Sequence, residues 1–114
     1  MPHFIIEYSQ GQAGVEQVEA MLDAVHLAAA DTALFDVDHI RVRALPVAFY
    51  RIAGKRDHFI HAQCRIHSGR YEAQRRRLSE AVLGALKAQR WPVKSITVEV
   101  VELDRATYAK FIEQ

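Results

Sequence analysis

The sequence predicts an α+β fold of the two-layer α/β type, in which a four-stranded sheet carries two helices on one face. Four segments have the alternation or the β-branched content of strands, and two longer segments repeat apolar residues at helical spacing. Their order is β-α-β-β-α-β, so residues 2–45 and 59–103 each form one strand–helix–strand unit. We therefore interpret residues 1–114 as a single domain built from a tandem β-α-β repeat.

The first unit begins with an apolar strand and continues into an amphipathic helix. Residues 2–8, PHFIIEY, are apolar and aromatic with one carboxylate, and the polar, glycine-containing residues 9–14 end the strand. From Val15 to Ala29, apolar residues recur every three or four positions with acidic residues between them, which indicates a helix with one buried face. Residues 39–45 then alternate between apolar and basic side chains, as in a strand with one apolar face.

The second unit repeats this order. Residues 59–67, FIHAQCRIH, alternate between apolar and polar side chains. Residues 68–70 open a second helix, which ends before Pro92 because proline disfavours helix at the residue that precedes it. Residues 95–103 form a β-branched final strand, and residues 104–111 are expected to form a short terminal helix with an aspartate as its N-cap.

Right-handed crossovers pair the strands of each unit in parallel and place both helices on one face of the sheet. The helix-facing side is then apolar, and its predicted members are Ile40, Val42, Ile60, Ala62, Cys64, Ile66, Ile96, Val98 and Val100. The opposite side carries Arg41, Arg43, His61, Gln63, Arg65, Thr97, Glu99 and Val101. Sheets with parallel strands are usually covered on both faces, so this second side is either solvated or covered by another subunit.

Composition and charge argue against several classes of protein. The chain has 15 Lys+Arg against 14 Asp+Glu, and it lacks the aromatic motif of RNA-binding modules, so we expect no nucleic-acid partner. Its apolar runs are only a few residues long, and its N-terminus does not resemble a secretion signal, so we expect no membrane insertion and a cytoplasmic location. The single cysteine cannot form an internal disulfide.

The six histidines do not form a metal-binding pattern. His61 and His67 share one face of a strand but lie roughly 20 Å apart at about 3.3 Å per residue. His58 lies on the opposite face of that strand. We therefore expect no metal site.

Three segments together resemble one known family. In order and spacing they are similar to 5-carboxymethyl-2-hydroxymuconate Δ-isomerases, which belong to the tautomerase superfamily. The matching segments are PHFIIEYS at residues 2–9, IRVR at residues 40–43, and Gly69-Arg70 followed by Glu72, Arg75 and Leu78. The resemblance covers nearly the whole chain and implies a tautomerase-like domain and a homotrimer in which the sheets line the centre.

The resemblance also implies a reaction and the residues that perform it. The reaction is a proton shift within an unsaturated 2-hydroxy or 2-keto carboxylic acid, with 5-carboxymethyl-2-hydroxymuconate from aromatic-compound catabolism as the expected substrate. It needs neither metal nor cofactor. Pro2, exposed when Met1 is removed, is the implied proton carrier, and Arg41 and Arg70 match the arginines that handle the oxygen atoms of the anionic substrate.

The chemistry of these residue types agrees with the implied roles. An α-amino group has a pKa of about 8, and burial beside cations lowers it towards neutrality, where a general base is most effective. Arginine keeps its charge and can bond two oxygens at once. We expect Arg70 to bind a carboxylate, and Arg41 to bind the 2-oxygen or a second carboxylate. If Met1 stays attached, the Pro2 nitrogen is an amide and cannot act as a base.

Several points stay open at the level of the sequence. The protein is either this isomerase, a tautomerase of another keto acid such as phenylpyruvate, or a non-catalytic trimeric binding protein of the same fold. The apolar wall of the site is expected to come from an aromatic residue, and the candidates are Phe35, Phe49, Tyr50 and Phe59.

Overall fold

The computed structural model describes residues 1–113, which form one mixed four-stranded sheet and two helices. In chain order, the elements are β1 (His3–Ser9), α1 (Val15–Asp31), a one-turn 3₁₀ helix (Val37–His39), β2 (Arg41–Val47), β3 (Phe59–His67), α2 (Glu72–Ala88) and β4 (Ser95–Leu103). The predicted α+β fold class is confirmed, and the predicted bounds of β3 and β4 match the observed ones.

The sheet has the strand order β2-β1-β3-β4. β1 pairs with β2 in parallel, and β3 pairs with β4 in parallel, as the helical crossover within each unit requires. The two units meet at the centre, where β1 and β3 run antiparallel. As a result, the amino end of β1 lies beside the carboxyl end of β3.

One face of the sheet packs against both helices and forms the core. Its fully buried positions alternate along the central strands and recur every four residues along the helices. They include Phe4, Ile6, Ile60, Ala62, Cys64, Ile66, Met21, Val25, Ala29, Leu78, Val82 and Leu86. The predicted helix-facing residues of β4, Ile96, Val98 and Val100, are only partly buried because β4 is an edge strand.

Several predicted boundaries are wrong by a few residues, including those of β2, which spans Arg41–Val47 rather than residues 39–45. β1 begins at His3 rather than at Pro2, although the Pro2 carbonyl accepts a hydrogen bond from the Arg41 backbone N–H at 3.0 Å. α2 begins at Glu72 rather than at residues 68–70, because Gly69 has a φ of +116°, which a right-handed helix cannot contain. Arg70 therefore lies in the loop between β3 and α2.

The predicted helix at residues 104–111 is wrong. The Asp104 side chain accepts a hydrogen bond from the Ala106 N–H at 3.0 Å, but the turn that follows stops after Thr107. A helix this short gains too few hydrogen bonds to be stable alone. The tail is instead held by side chains, since Arg105 Nε donates to the Ser68 carbonyl at 2.7 Å and the Tyr108 hydroxyl lies 2.7 Å from His3 Nε2.

Neither α1 nor α2 packs on the other face of the sheet, which carries mainly polar side chains, as predicted. There His61 bridges two residues of β4, with Nε2 2.6 Å from a Glu99 carboxylate oxygen and Nδ1 2.7 Å from the Thr97 hydroxyl. Within residues 1–113, no helix is long and apolar enough to cross a membrane.

Candidate active site

The three site residues predicted from the sequence lie at one end of the sheet. Pro2 is buried and precedes β1, and Arg41 is the first residue of β2, bonded through its backbone to Pro2. Arg70 follows the carboxyl end of β3. The antiparallel register that pairs His3 with Arg65 brings this end of β3 next to the start of the chain.

The terminal amine of Met1 lies in a positively charged, partly buried environment. Its nitrogen is 2.8 Å from His67 Nε2, and Met1 itself is only 9% exposed. Burial lowers the pKa of this amine below its usual value, and the charges of Lys110, Arg41 and Arg105 lower it further. An amine at this end of the sheet therefore loses its proton more readily than an exposed amine does.

The Arg41 side chain is anchored by backbone carbonyls of the segment before β2. Its Nη1 donates to the Asp38 carbonyl at 2.9 Å, with a longer contact to the Ile40 carbonyl at 3.5 Å. A guanidinium has five N–H donors, and most of those of Arg41 have no partner among the described residues.

The Arg70 guanidinium is held from two sides. Its Nη2 donates to the Leu34 carbonyl, and its central carbon lies 5.0 Å from the centre of the Phe35 ring. Its Nε is buried and has no hydrogen-bond partner within residues 1–113. The Arg70 guanidinium therefore keeps one buried donor unsatisfied.

Phe35 is the aromatic candidate that borders the site. It contacts Arg70 and packs edge-to-face on Phe4 of β1, with ring centres 6.1 Å apart. Phe49 is 94% exposed, and Tyr50 packs on Phe59, which begins β3 at the end of that strand away from His67. Phe49, Tyr50 and Phe59 therefore do not form the wall beside Arg70 within one chain.

A cluster that the sequence analysis missed lies beside the terminal amine and consists of His3, His67 and Tyr108. The Tyr108 hydroxyl lies 2.7 Å from His3 Nε2, and its ring lies 4.7 Å from the His67 ring, centre to centre. The strand register could have indicated His67, because β3 ends opposite the start of β1. Nothing in the sequence pattern places Tyr108 there.

Both histidines of this cluster favour the neutral state. Burial lowers the pKa of His67, and the terminal amine and the cations Arg105, Lys110 and Arg70 lower it further. Burial is also the largest cause of the lowered pKa of His3, followed by the charge of Arg43. The charged groups that act on the amine and on His67 are all positive, which suits an anionic ligand.

Comparisons with known proteins identify the family of this chain. The sequence model of the 5-carboxymethyl-2-hydroxymuconate isomerase family matches residues 2–110. The chain belongs to this family. The resemblance of the three sequence segments to that family is thereby confirmed, and the protein is an isomerase of the tautomerase type.

Solved structures show the same fold. A 5-carboxymethyl-2-hydroxymuconate delta-isomerase aligns with a TM-score of 0.70 and 26% identity, covering 97% of this chain and 88% of the other. A 5-carboxymethyl-2-hydroxymuconate isomerase from Deinococcus radiodurans R1 aligns with a TM-score of 0.77 and 24% identity, covering 98% of this chain and 90% of the other. A fused 4-OT protein that is a symmetric trimer aligns with a TM-score of 0.81 and 17% identity, covering 91% of this chain and 87% of the other. No curated protein sequence matches the chain.

The lowered pKa values predict how stability depends on pH. Because His3 and His67 resist protonation when folded, the unfolded chain binds more protons below its ordinary histidine pKa of about 6.5. The free energy of unfolding should therefore fall as the pH drops from about 7 to about 5. In urea titrations, His67→Gln should make this dependence shallower than in the unsubstituted protein. Equal slopes for the variant and the unsubstituted protein would contradict the prediction.

Proposed function

We propose that this protein is a cofactor-independent tautomerase that uses Pro2 as its acid and base. Its substrate is an unsaturated 2-hydroxy or 2-keto carboxylic acid, specifically 5-carboxymethyl-2-hydroxymuconate in aromatic-compound catabolism. One observation carries the proposal. At the start of β1, the N-terminal nitrogen is partly buried among cations, and the chain belongs to this isomerase family.

Removal of Met1 is the first requirement of this proposal. It converts the Pro2 nitrogen from an amide into a secondary amine at a buried position next to the Arg41 backbone. The burial and the positive charges that lower the pKa of the Met1 amine act in the same direction on an amine one residue along the chain. The lowered pKa brings the uncharged form of Pro2, which can accept a proton, closer to neutral pH.

In the proposed reaction, a proton moves from one substrate atom to another. Pro2 takes the proton of the 2-hydroxydienol system and returns it to a carbon further along the conjugated chain. Negative charge builds up on the 2-oxygen between these two steps. Arg41 is assigned to this oxygen or to a second carboxylate, and Arg70, with its free buried Nε, is assigned to a carboxylate.

We also propose that the active form is a homotrimer. The face of the sheet opposite the helices is uncovered and mixes charged residues with Ile5 and Leu45. Purely parallel sheets are usually covered on both faces, and each half of this mixed sheet is a parallel pair. The fused 4-OT protein of the same fold is a trimer, which supports covering this face with two further copies of the chain.

A blocked N-terminus should abolish activity. A variant with Gly-Ser fused before Pro2 keeps the fold but makes the proline nitrogen an amide, so ketonisation of 2-hydroxymuconate should fall to the uncatalysed rate. Pro2→Ala, which keeps a primary amine, should lose about 100-fold in kcat/KM. Intact-mass analysis of active protein should show that Met1 is absent. Full activity in protein that retains Met1 would exclude Pro2 as the base.

Loss of Arg70 should weaken substrate binding and slow turnover together. Arg70→Ala should lower kcat/KM about 100-fold, because a charged hydrogen-bond partner of the substrate is lost. Arg70→Lys should recover only part of the lost kcat/KM, since lysine cannot bond two oxygens in parallel. Arg76→Ala, at an exposed position of α2, is the matched control. Assays with phenylenolpyruvate beside 2-hydroxymuconate separate this isomerase from a tautomerase of another keto acid, and inactivity towards both would favour a binding protein.

The trimer is tested by size-exclusion chromatography with light scattering. The expected mass is about three times that of one chain at micromolar concentration, because the uncovered sheet face is buried in the assembly. Replacing Ile5 on this face by Asp should shift the mass towards the monomer. A wild-type protein with the mass of one chain would contradict the assembly.

A further inference from the structure

His67 faces the space that Met1 fills. Its Nε2 lies 2.8 Å from the Met1 amine, and its Nδ1 is buried without a hydrogen-bond partner within residues 1–113. When Met1 is removed, His67 loses the partner of Nε2 as well. The mature protein then holds an imidazole with both nitrogens unsatisfied, next to the free Pro2 nitrogen.

The Met1 amine marks a position that a substrate oxygen can occupy. This nitrogen and the Pro2 nitrogen are separated by three covalent bonds, with Met1 itself buried at the start of β1. A substrate oxygen that gives its proton to Pro2 must lie within hydrogen-bond reach of that nitrogen, about 2.6–3.2 Å. The place vacated by the Met1 amine lies next to the Pro2 nitrogen, three covalent bonds away, and within reach of His67.

Contacts on the side away from the site hold the His67 imidazole in place. The Tyr108 ring packs on the His67 ring at 4.7 Å, and the Tyr108 hydroxyl is tied to His3 on β1. Arg105 fixes the tail that carries Tyr108 through its bond to the Ser68 carbonyl. These contacts leave Nε2 as the edge of the ring that faces the site.

The unpartnered Nδ1 also indicates which nitrogen carries the proton. A buried N–H without an acceptor is rare in folded proteins, so the neutral ring places its proton on Nε2. Nε2 is then a donor aimed at the place beside Pro2. Burial and the surrounding cations lower the pKa of His67, which keeps the ring in this neutral form.

We propose that His67 of the mature protein contacts the substrate and donates a hydrogen bond from Nε2 to the 2-oxygen on which negative charge develops. This inference rests on the proposed function. No proton leaves the imidazole: the proton still passes from the substrate to Pro2 and back to carbon, while His67 stabilises the oxygen between the two steps.

The kinetic test compares two substitutions at His67 in mature protein, with 2-hydroxymuconate as the substrate. His67→Leu removes the donor and should lower kcat about 100-fold, with a smaller change in KM, because the bond strengthens as charge develops. The side-chain amide of His67→Gln reaches the position of Nε2, so kcat of this variant should be at least about tenfold higher than that of His67→Leu. His26→Leu on α1 is the matched control and should keep wild-type kinetics. Circular dichroism and light scattering verify the fold and assembly of each variant.

A binding test gives a readout that does not depend on turnover. Mature protein with ¹⁵N-labelled histidine is titrated with 2-oxoadipate, a saturated 2-keto diacid, and the Nε2 resonance of His67 should shift while that of His26 should not. If the shift occurs in a protein without tautomerase activity, the proposed function fails and the substrate contact stands. If wild-type protein is active but His67→Leu matches it and no shift occurs, the contact is excluded and the proposed function stands. If the protein shows neither tautomerase activity nor a shift of the His67 resonance, both the proposed function and the substrate contact are excluded.

Discussion

The backbone hydrogen bond from Arg41 to the Pro2 carbonyl is the constraint on which the site depends. Chain ends usually fray, and a frayed nitrogen has no fixed geometry or environment. Here the bond continues the parallel pairing of β1 and β2 by one residue beyond the strand, and β3 flanks the other side of β1. The N-terminal nitrogen is thereby fixed at the end of a central strand, where burial and nearby charges can lower its proton affinity.

The tandem repeat explains why cations from distant parts of the sequence meet there. Parallel pairing brings the start of β2, with Arg41, to the amino end of β1. The antiparallel joint between the two units brings the end of β3, with His67 and then Arg70, to the same place. The tail after β4 returns to this end because β4 runs parallel to β3, and it adds Arg105 and Lys110 to the charges that act on the amine.

The elements that the sequence predicted well are those with strong local periodicity. The alternation in residues 59–67 and the β-branched run in residues 95–103 depend only on neighbouring residues and on one buried face. The start of α2 was missed because Gly69 adopts a left-handed backbone, which favours a loop over a helix. The tail could not be predicted, since its path is set by contacts of Arg105 and Tyr108 with residues far away in the sequence. Any contribution of a neighbouring subunit depends on spacing between chains, which the sequence alone does not define.

On the proposed mechanism, removal of Met1 changes the site in two ways at once. It frees the Pro2 nitrogen, and it empties the buried place that Met1 fills. The emptied place is bordered by positive charges that repel one another and by His67 Nε2, which loses its partner when Met1 leaves. An anionic substrate offsets this repulsion and accepts a hydrogen bond from Nε2, and it does so most strongly when charge has developed on its 2-oxygen. The same arrangement that disfavours a proton on the nitrogen therefore favours the charged intermediate over the bound substrate.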